Sequence, residues 1–484
     1  MKKNYRVGKF ELDDNQMQLL LNDNNSLVIA GAGSGKTLTI LGKINYLIEH
    51  NICLPEQILI ISFTNASVND IKTRINYNVN VYTFHKLAMT ILENADYKYS
   101  LCPSALLRFV IEEYIHTCSV KEQKIILKFL KINFSYTFFL KSKQCQSFCN
   151  LIETFINLFK TNNFSVQEIL NKNFSNLQKE VMIIFFKIYK KYNSEKLGLQ
   201  QLDFDDLIIY ATLIVKKTNL KYKYIIIDEF QDTSLIRLNL IKEIYLQSKS
   251  KIVVVGDDWQ SIYRFSGCDL NIFLNFSKIF PKVQKINLTN TYRNSSQLIL
   301  IASEFIQKNP LQIKKSLTSQ KQNISPIVLV PYKNKNIIFK KLLNHLIKIS
   351  KNNIMILGRN NNDIFEYLDE DFIFENNIIH YMDCKINYYT VHRSKGLEAE
   401  HVIILNCNDS ILGFPNKIEN NAIINKLIPN VEIKFAEERR LFYVALTRCK
   451  ETTYLVYNKN YPSIFLKEIK KIIKKRLGKI SYFK

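Results

Sequence analysis

Apolar residues in this chain fall into two kinds of pattern, short β-branched runs and longer helical spacings, and the two alternate. The run at residues 27–30 predicts a buried strand, and Ile40, Ile44 and Leu47 after it recur at helical spacing. Further strands are expected at 58–63, 79–83, 224–228 and 252–255, most of them running into a helical pattern. Alternation of this kind predicts an α/β fold built on a parallel sheet. Between 92 and 199 the strand signals fade. Helical periodicity takes over, as at Ile125, Leu127, Phe129 and Leu130 and at Val181, Ile184, Phe185 and Ile188. This stretch reads as a helical insertion, with residues 202–207 returning the chain to the sheet. Past residue 280, strands are expected at 286–288, 354–357, 389–392, 402–405 and 453–457, and a basic helical tail at 467–484. The expected organisation is a first α/β domain from residues 1–91 and 200–280, the insertion at 92–199, and a second α/β domain at 281–484.

Composition narrows the class. The chain has 484 residues, of which 47% are hydrophobic, enough for several cores. No apolar run approaches the ~20 residues of a membrane span, and no signal-peptide core follows the basic start. A soluble, cytoplasmic protein is expected. Cys145 and Cys149 are the one close pair among nine cysteines. With Cys102 and Cys118 in the same segment, an iron–sulfur cluster is one reading and reduced thiols packed in helices the other. The formal charge of +24 favours a polyanionic partner. The chain is also rich in Lys, Asn and Ile, as codon bias produces, so part of that charge is ordinary solvated surface.

Two stretches carry chemistry. In Ser26-Leu-Val-Ile-Ala30-Gly31-Ala32-Gly33-Ser34-Gly35-Lys36-Thr37 a strand, a glycine-rich loop and a helix follow in the order a phosphate-binding loop requires. Backbone N–H groups of residues 30–35 can surround phosphates, Lys36 can reach the terminal ones, and Thr37 can hold Mg²⁺. Ala30 stands where the strict pattern begins with glycine. In Tyr224-Ile-Ile-Ile-Asp228-Glu229-Phe-Gln-Asp232 an apolar strand ends in acids. Asp228 is placed to hold Mg²⁺ and Glu229 to activate a water, so the pair completes a site for ATP hydrolysis.

The order of motifs from Gln16 to Lys450 resembles the superfamily 1 helicases of the UvrD/Rep type. That resemblance implies two RecA-like domains in tandem, ATP and Mg²⁺ as cofactors, and 3′-to-5′ movement on single-stranded DNA with unwinding of tailed duplex, in repair or recombination. It implies adenine recognition by Gln16, stacking of Tyr292 on the base, and a contact of Glu398 with the nucleotide. Gln260 would sense the γ-phosphate, and Arg293 and Arg448 would stabilise the transferring phosphoryl group from the second domain. Phe63, Thr64, Asn65, Thr83, His85, Tyr263, Phe265, Thr390 and His392 would line the DNA track. Phe84 reads as core, and the two histidines read equally well as structural.

Some positions depart from the pattern. Leu38 stands where many relatives have a nucleotide-contacting arginine, Ala66 replaces a common lysine, and Phe265 replaces a tryptophan while keeping a stackable ring. The spacing from Arg293 to Thr390 leaves no room for the large helical insertion of many relatives, and the branch it most resembles carries an N-terminal extension with no counterpart before Gln16. These features leave an alternative: a translocase or DNA-stimulated switch, with protein partners in repair or defence and little unwinding of its own.

Overall fold

The computed structural model describes residues 5–350, 353–428 and 433–483. Its first sheet has six parallel strands in the order Val283–Asn287, Asn25–Ile29, Lys251–Gly256, Tyr224–Ile227, Ile58–Ser62 and Asn80–Thr83. The central strands are buried at nearly every position and largely apolar, because both faces are covered. Alternate residues divide between the faces. Leu27, Leu59, Ile225 and Ile252 pack in one core with residues of helices Phe84–Asn94, Phe204–Val215 and Leu235–Ser248. Val28, Ile60, Ile226 and Val253 pack in another with helices Asp14–Leu21, Lys36–Glu49 and Asn65–Arg74. Parallel strands put all their C-terminal ends on one edge. The loop at 30–35, Phe63, Asp228 and Asp257 therefore emerge together, at the edge where open α/β sheets bind ligands.

The expected boundary at 280/281 is corrected here. Strand Val283–Asn287 pairs with Asn25–Ile29 in register, Asn287 opposite Ile29, so the first sheet extends past residue 281. Only one residue of this edge strand, Ile286, is well buried, so nothing in its sequence marks which sheet it joins. The chain crosses over after it, at residues 288–295.

The second sheet has eight strands, ordered Ile373–Glu375, Ile378–Tyr381, Cys384–Thr390, Ile354–Gly358, Ala399–Ile404, Cys449–Asn458, Ile327–Tyr332 and Ser481–Tyr482. The first three pair antiparallel and the others parallel. Helices Ser296–Ile306, Ala436–Leu446 and Ile464–Leu477 share one core with it, and helix Lys335–Ile349 another. The tail read as helical to 484 ends its helix at Leu477, and Ser481–Tyr482 returns as an edge strand. The chain is thus a tandem of two RecA-like parallel-sheet domains.

Helices run from Leu106 to Gly198 around their own apolar core. The short parallel pair Ser100–Leu101 and Gln201–Leu202 closes the base of this unit. Lys160, almost fully buried, is held there by Asp203 at 2.5 Å and Asp206 at 2.7 Å. From the second domain, helix Ala422–Leu427 inserts Ile423, Ile424 and Leu427 into the same core. Cys145 and Cys149 lie within it, while Cys118 contacts Tyr136 and Cys102 contacts Tyr192. Among the described residues no group of three or more His, Cys, Asp or Glu is arranged to hold a metal, and no helix is long and apolar enough to cross a membrane.

Candidate active site

Residues 30–35 turn sharply from strand to helix. Gly33 and Gly35 take φ of 70° and 76°, and Gly35 is the N-cap of helix Lys36–Glu49. A Cβ on Gly33 would also stand 2.5 Å from Cβ of Arg293, so the loop is in close contact with the second-domain segment. Ser34 Oγ is buried with no hydrogen-bond partner, and Thr37 is half-buried in the helix's first turn. A turn with unspent donors and a helix N-terminus fits an anionic phosphate chain. Gln16 lies beside it. Its Nε2 donates to Thr39 Oγ1 at 3.0 Å, and Thr39 Oγ1 donates to the Gly35 carbonyl at 2.9 Å. Asp13 and Gln16 form the capping box of helix Asp14–Leu21. The Tyr292 hydroxyl donates to Asp13 Oδ2 at 2.7 Å, and its half-exposed ring faces Gly35.

The acids form a buried cluster. Glu229 sits at φ 51°, a left-handed conformation that costs a side-chain-bearing residue ~1 kcal/mol. There its carboxylate receives Lys36 Nζ at 2.5 Å on one oxygen and Gln231 Nε2 at 2.6 Å on the other. Burial opposes its charge, but Lys36 and Lys395 outweigh burial and hold the carboxyl well below the usual range. At Asp228 the same two lysines are outweighed. Burial, reinforced by the neighbouring Glu229 charge, pushes it up to about 6. A buried acid short of positive charge fits a divalent cation beside it.

Second-domain side chains complete the cluster. Arg448, fully buried, donates Nη2 to Gln260 Oε1 at 3.0 Å and Nε to the Val444 carbonyl at 3.1 Å. Burial, with the Arg293 charge adding to it, pushes the guanidinium down to about 9, so it remains charged at neutral pH. Gln260 donates in turn to Asp257 Oδ2 at 2.6 Å. Arg293 is held by Glu398 at 2.7 Å, and Lys450 pairs with the other oxygen of Glu398 at 2.8 Å. The segment carrying Tyr292 and Arg293 is sewn to the phosphate loop. Thr291 Oγ1 donates to the Ala32 carbonyl at 2.7 Å, and the Tyr292 N–H to the Gly33 carbonyl at 2.8 Å.

The residues expected along a DNA track fall into two patches. In one, Tyr263, Phe265 and His392 converge. The Tyr263 hydroxyl donates to the His392 carbonyl at 2.9 Å, and the exposed Phe265 ring stands edge-on to the imidazole at 5.5 Å. Thr390 ends the strand just before His392. In the other patch, the half-buried Phe63 packs against the buried Phe84 at 5.2 Å, with the Arg237 guanidinium 5.2 Å from its ring. Thr64 and Thr83 are helix N-caps, accepting the N–H of Ser67 and Lys86, and Asn65 is exposed beside Thr64. Burial pushes His85 and His392 down to about 4, helped by Arg237 and Arg359 respectively. Both are therefore neutral at physiological pH, with an N–H to donate but no charge.

The family model for the UvrD/REP helicase N-terminal domain matches residues 12–281, and that for the UvrD-like helicase C-terminal domain matches residues 375–460. The chain belongs to the UvrD/REP helicase family. It is 28% identical to DNA helicase IV of Escherichia coli over 96% of this chain and 71% of that protein. It is also 28% identical to the ATP-dependent DNA helicase Rep of Buchnera aphidicola, over 84% of this chain and 63% of Rep. A probable DNA helicase II homolog of Mycoplasma capricolum is 31% identical over 66% of this chain, a match spanning 44% of that protein. The chain thus spans less than two thirds of the Rep and helicase II relatives it matches.

In this UvrD/REP chain the sequence left three contributors unmarked. Lys395, buried, lies 2.5 Å from Asp232 and 3.5 Å from Glu229. Those carboxylates outweigh burial and keep its ammonium charged. Phe204 is exposed, with its ring 5.1 Å from His85, and extends the first-domain aromatic patch. Its place opening the helix after the insertion was the available signal. Lys315 bridges Asp257 and Asp258.

Asp228 also sets a stability prediction. Its folded pKa lies above the unfolded carboxyl value, so ionising it disfavours the fold. That cost is absent below pH ~4 and complete above pH ~6.5. Asp228→Asn should therefore stabilise the nucleotide-free protein at pH 7.5 by on the order of 1–3 kcal/mol. Thermal melts should show the gain at pH 7.5 shrinking towards pH 4.

Proposed function

We propose that this chain is an ATP-driven motor that moves 3′ to 5′ along single-stranded DNA and separates tailed duplex, serving repair or recombination. The observation that carries the reading is the division of the nucleotide site between the domains. The phosphate loop, Asp228 and Glu229 come from the first; Arg293, Lys395 and Arg448 come from the second. A site so divided works only when the cleft is closed, which makes chemistry report on domain position.

In this mechanism Gln16 and Tyr292 hold the adenine and N–H groups of residues 31–35 hold the phosphates, the Ala30 N–H being spent on the Gly256 carbonyl at 2.9 Å. Lys36 leaves Glu229 for the terminal phosphates, freeing that carboxylate to accept the proton of the attacking water. Thr37 and Asp228 would hold Mg²⁺, which would supply positive charge against that of the phosphates. Water adds to the γ-phosphorus as the bond to the ADP oxygen breaks, and Arg293 and Arg448 stabilise the charge on the transferring group. Gln260 and the Tyr263–Phe265 aromatics share one short segment, so the state of the γ-phosphate reaches the DNA patch directly. Alternating closure would let the Phe63 side and the Phe265 side grip bases in turn, each stack contributing roughly 1–3 kcal/mol.

Strand displacement on duplexes carrying a 3′ or a 5′ single-stranded tail tests the reading. Displacement from the 3′-tailed substrate alone is expected. Robust DNA-stimulated ATPase with no displacement on either would instead support a translocase or switch within a repair or defence complex, and preference for the 5′ tail would contradict the polarity. Glu229→Gln should keep nucleotide affinity within a few-fold while lowering turnover by roughly 10²–10⁴. Arg448→Ala should lower it by ~10³. Undiminished hydrolysis by Glu229→Gln removes that residue from the base role.

A further inference from the structure

After helix Ser296–Ile306 the chain runs as a strap, residues 309–318, across the ligand-binding edge of the first sheet. Leu317 lies over Gly31, where a Cβ would stand 2.6 Å from its side chain. Thr318 is fixed on both sides, accepting the Thr291 N–H and donating to the Thr289 carbonyl, each at 2.8 Å. The Ile313 N–H donates to Asp258 Oδ2 at 2.9 Å, and the Ile313 carbonyl accepts the Trp259 indole N–H at 3.0 Å.

Lys315 lies at the centre of this strap with its side chain 5% exposed. Its ammonium reaches Asp257 Oδ1 at 2.5 Å, Asp258 Oδ1 at 2.6 Å and the Ala30 carbonyl at 2.8 Å, with the Trp259 ring 4.8 Å away. Two of these contacts are hydrogen bonds, to Asp257 and the Ala30 carbonyl, while Asp258 Oδ1 is an ion-pair contact without hydrogen-bond geometry. Both carboxylates are wholly buried. The other oxygen of Asp257 accepts Gln260 Nε2 at 2.6 Å, which turns Gln260 Oε1 towards Arg448 Nη2 at 3.0 Å. A reversed amide would set its NH₂ against the guanidinium and leave Arg448 without that acceptor.

We infer that Lys315 is a positioning residue for nucleotide hydrolysis: through Asp257 it fixes the amide of Gln260 towards Arg448, and through the Ala30 carbonyl it ties that arrangement to the phosphate loop. The inference rests on the reading of Gln260 as the γ-phosphate sensor. Without the ammonium, two adjacent buried carboxylates face each other uncompensated. Asp257 relieves the repulsion by shifting, and it then ceases to be a fixed acceptor for the amide.

A double-mutant cycle on the DNA-stimulated ATPase of the full chain tests this. Lys315→Met and Gln260→Ala should each lower kcat by about tenfold or more with nucleotide Kd within about threefold, and the double variant should be no slower than Gln260→Ala alone. Losses that multiply in the double variant, or a wild-type kcat for Lys315→Met, overturn the inference. A parallel rise in Kd with an unchanged kcat per folded molecule also overturns it, since that is the mark of a structural lysine. A wild-type kcat for Gln260→Ala brings down the sensor reading itself, a result separable from failure at Lys315. Should Lys315→Met not fold, Asp257→Asn carries the test, with the same loss of kcat expected and full kcat contradicting it.

Discussion

Carboxylates crowd the C-terminal edge of the first sheet, and the cations that neutralise most of them come from outside the first domain. Asp228, Asp232, Asp257 and Asp258 are all buried. Lys315 serves Asp257 and Asp258, and Lys395 serves Asp232 and Glu229. Leaving one such carboxylate unpaired costs several kcal/mol. The contact between the two domains is therefore electrostatic at its centre, with the apolar meeting of Trp259 and Tyr443, ring centroids 5.4 Å apart, beside it. An interface held by charge can be rebalanced by a ligand that brings its own charges, as a nucleotide triphosphate does.

Lys36 and Asp228 mark where that rebalancing enters. Lys36 is bound to Glu229, the carboxylate proposed as the base, and at Asp228 burial outweighs the charges of Lys36 and Lys395. Phosphates offer Lys36 a better partner, and a divalent ion would offer Asp228 what it lacks. The rearrangement would then spread along short covalent paths. Tyr263 lies three positions after Gln260 and Phe265 five positions after it, while His392 and Lys395 lie on one turn. Nucleotide chemistry and the aromatic patch are linked by the shortness of these segments rather than by a long relay.

Much of this was legible in the sequence because the phosphate loop, the Asp228–Glu229 strand end and the Gln260–Phe265 segment are each contiguous. Chemistry written in consecutive residues survives without knowledge of the fold. The strand expected at 286–288 was counted with the second domain, because with only Ile286 well buried nothing in residues 283–287 marks which sheet they join. Ile327–Tyr332 and the hairpin of Ile373–Glu375 and Ile378–Tyr381 were missed for different reasons. The former has proline at 331, and the latter offers only the short apolar pairs Ile373-Phe374 and Ile378-Ile379, parted by Glu375, Asn376 and Asn377. Lys315 and Lys395 escaped for a reason particular to this composition. Among 67 lysines and arginines a buried lysine looks like any other, and their partners lie 58 and 163 residues away.

The central claim is that second-domain cations hold the cleft by neutralising first-domain acids. Single-molecule energy transfer between dyes at Asn69→Cys and Lys341→Cys, on the outer parts of the two domains, tests it most directly when the otherwise wild-type protein is compared with folded Lys395→Met. Without nucleotide, the account predicts one predominantly closed population in the former and a shift of tenfold or more towards open states in the latter, reflecting the loss of a buried pair. Identical distributions for the two proteins would contradict it.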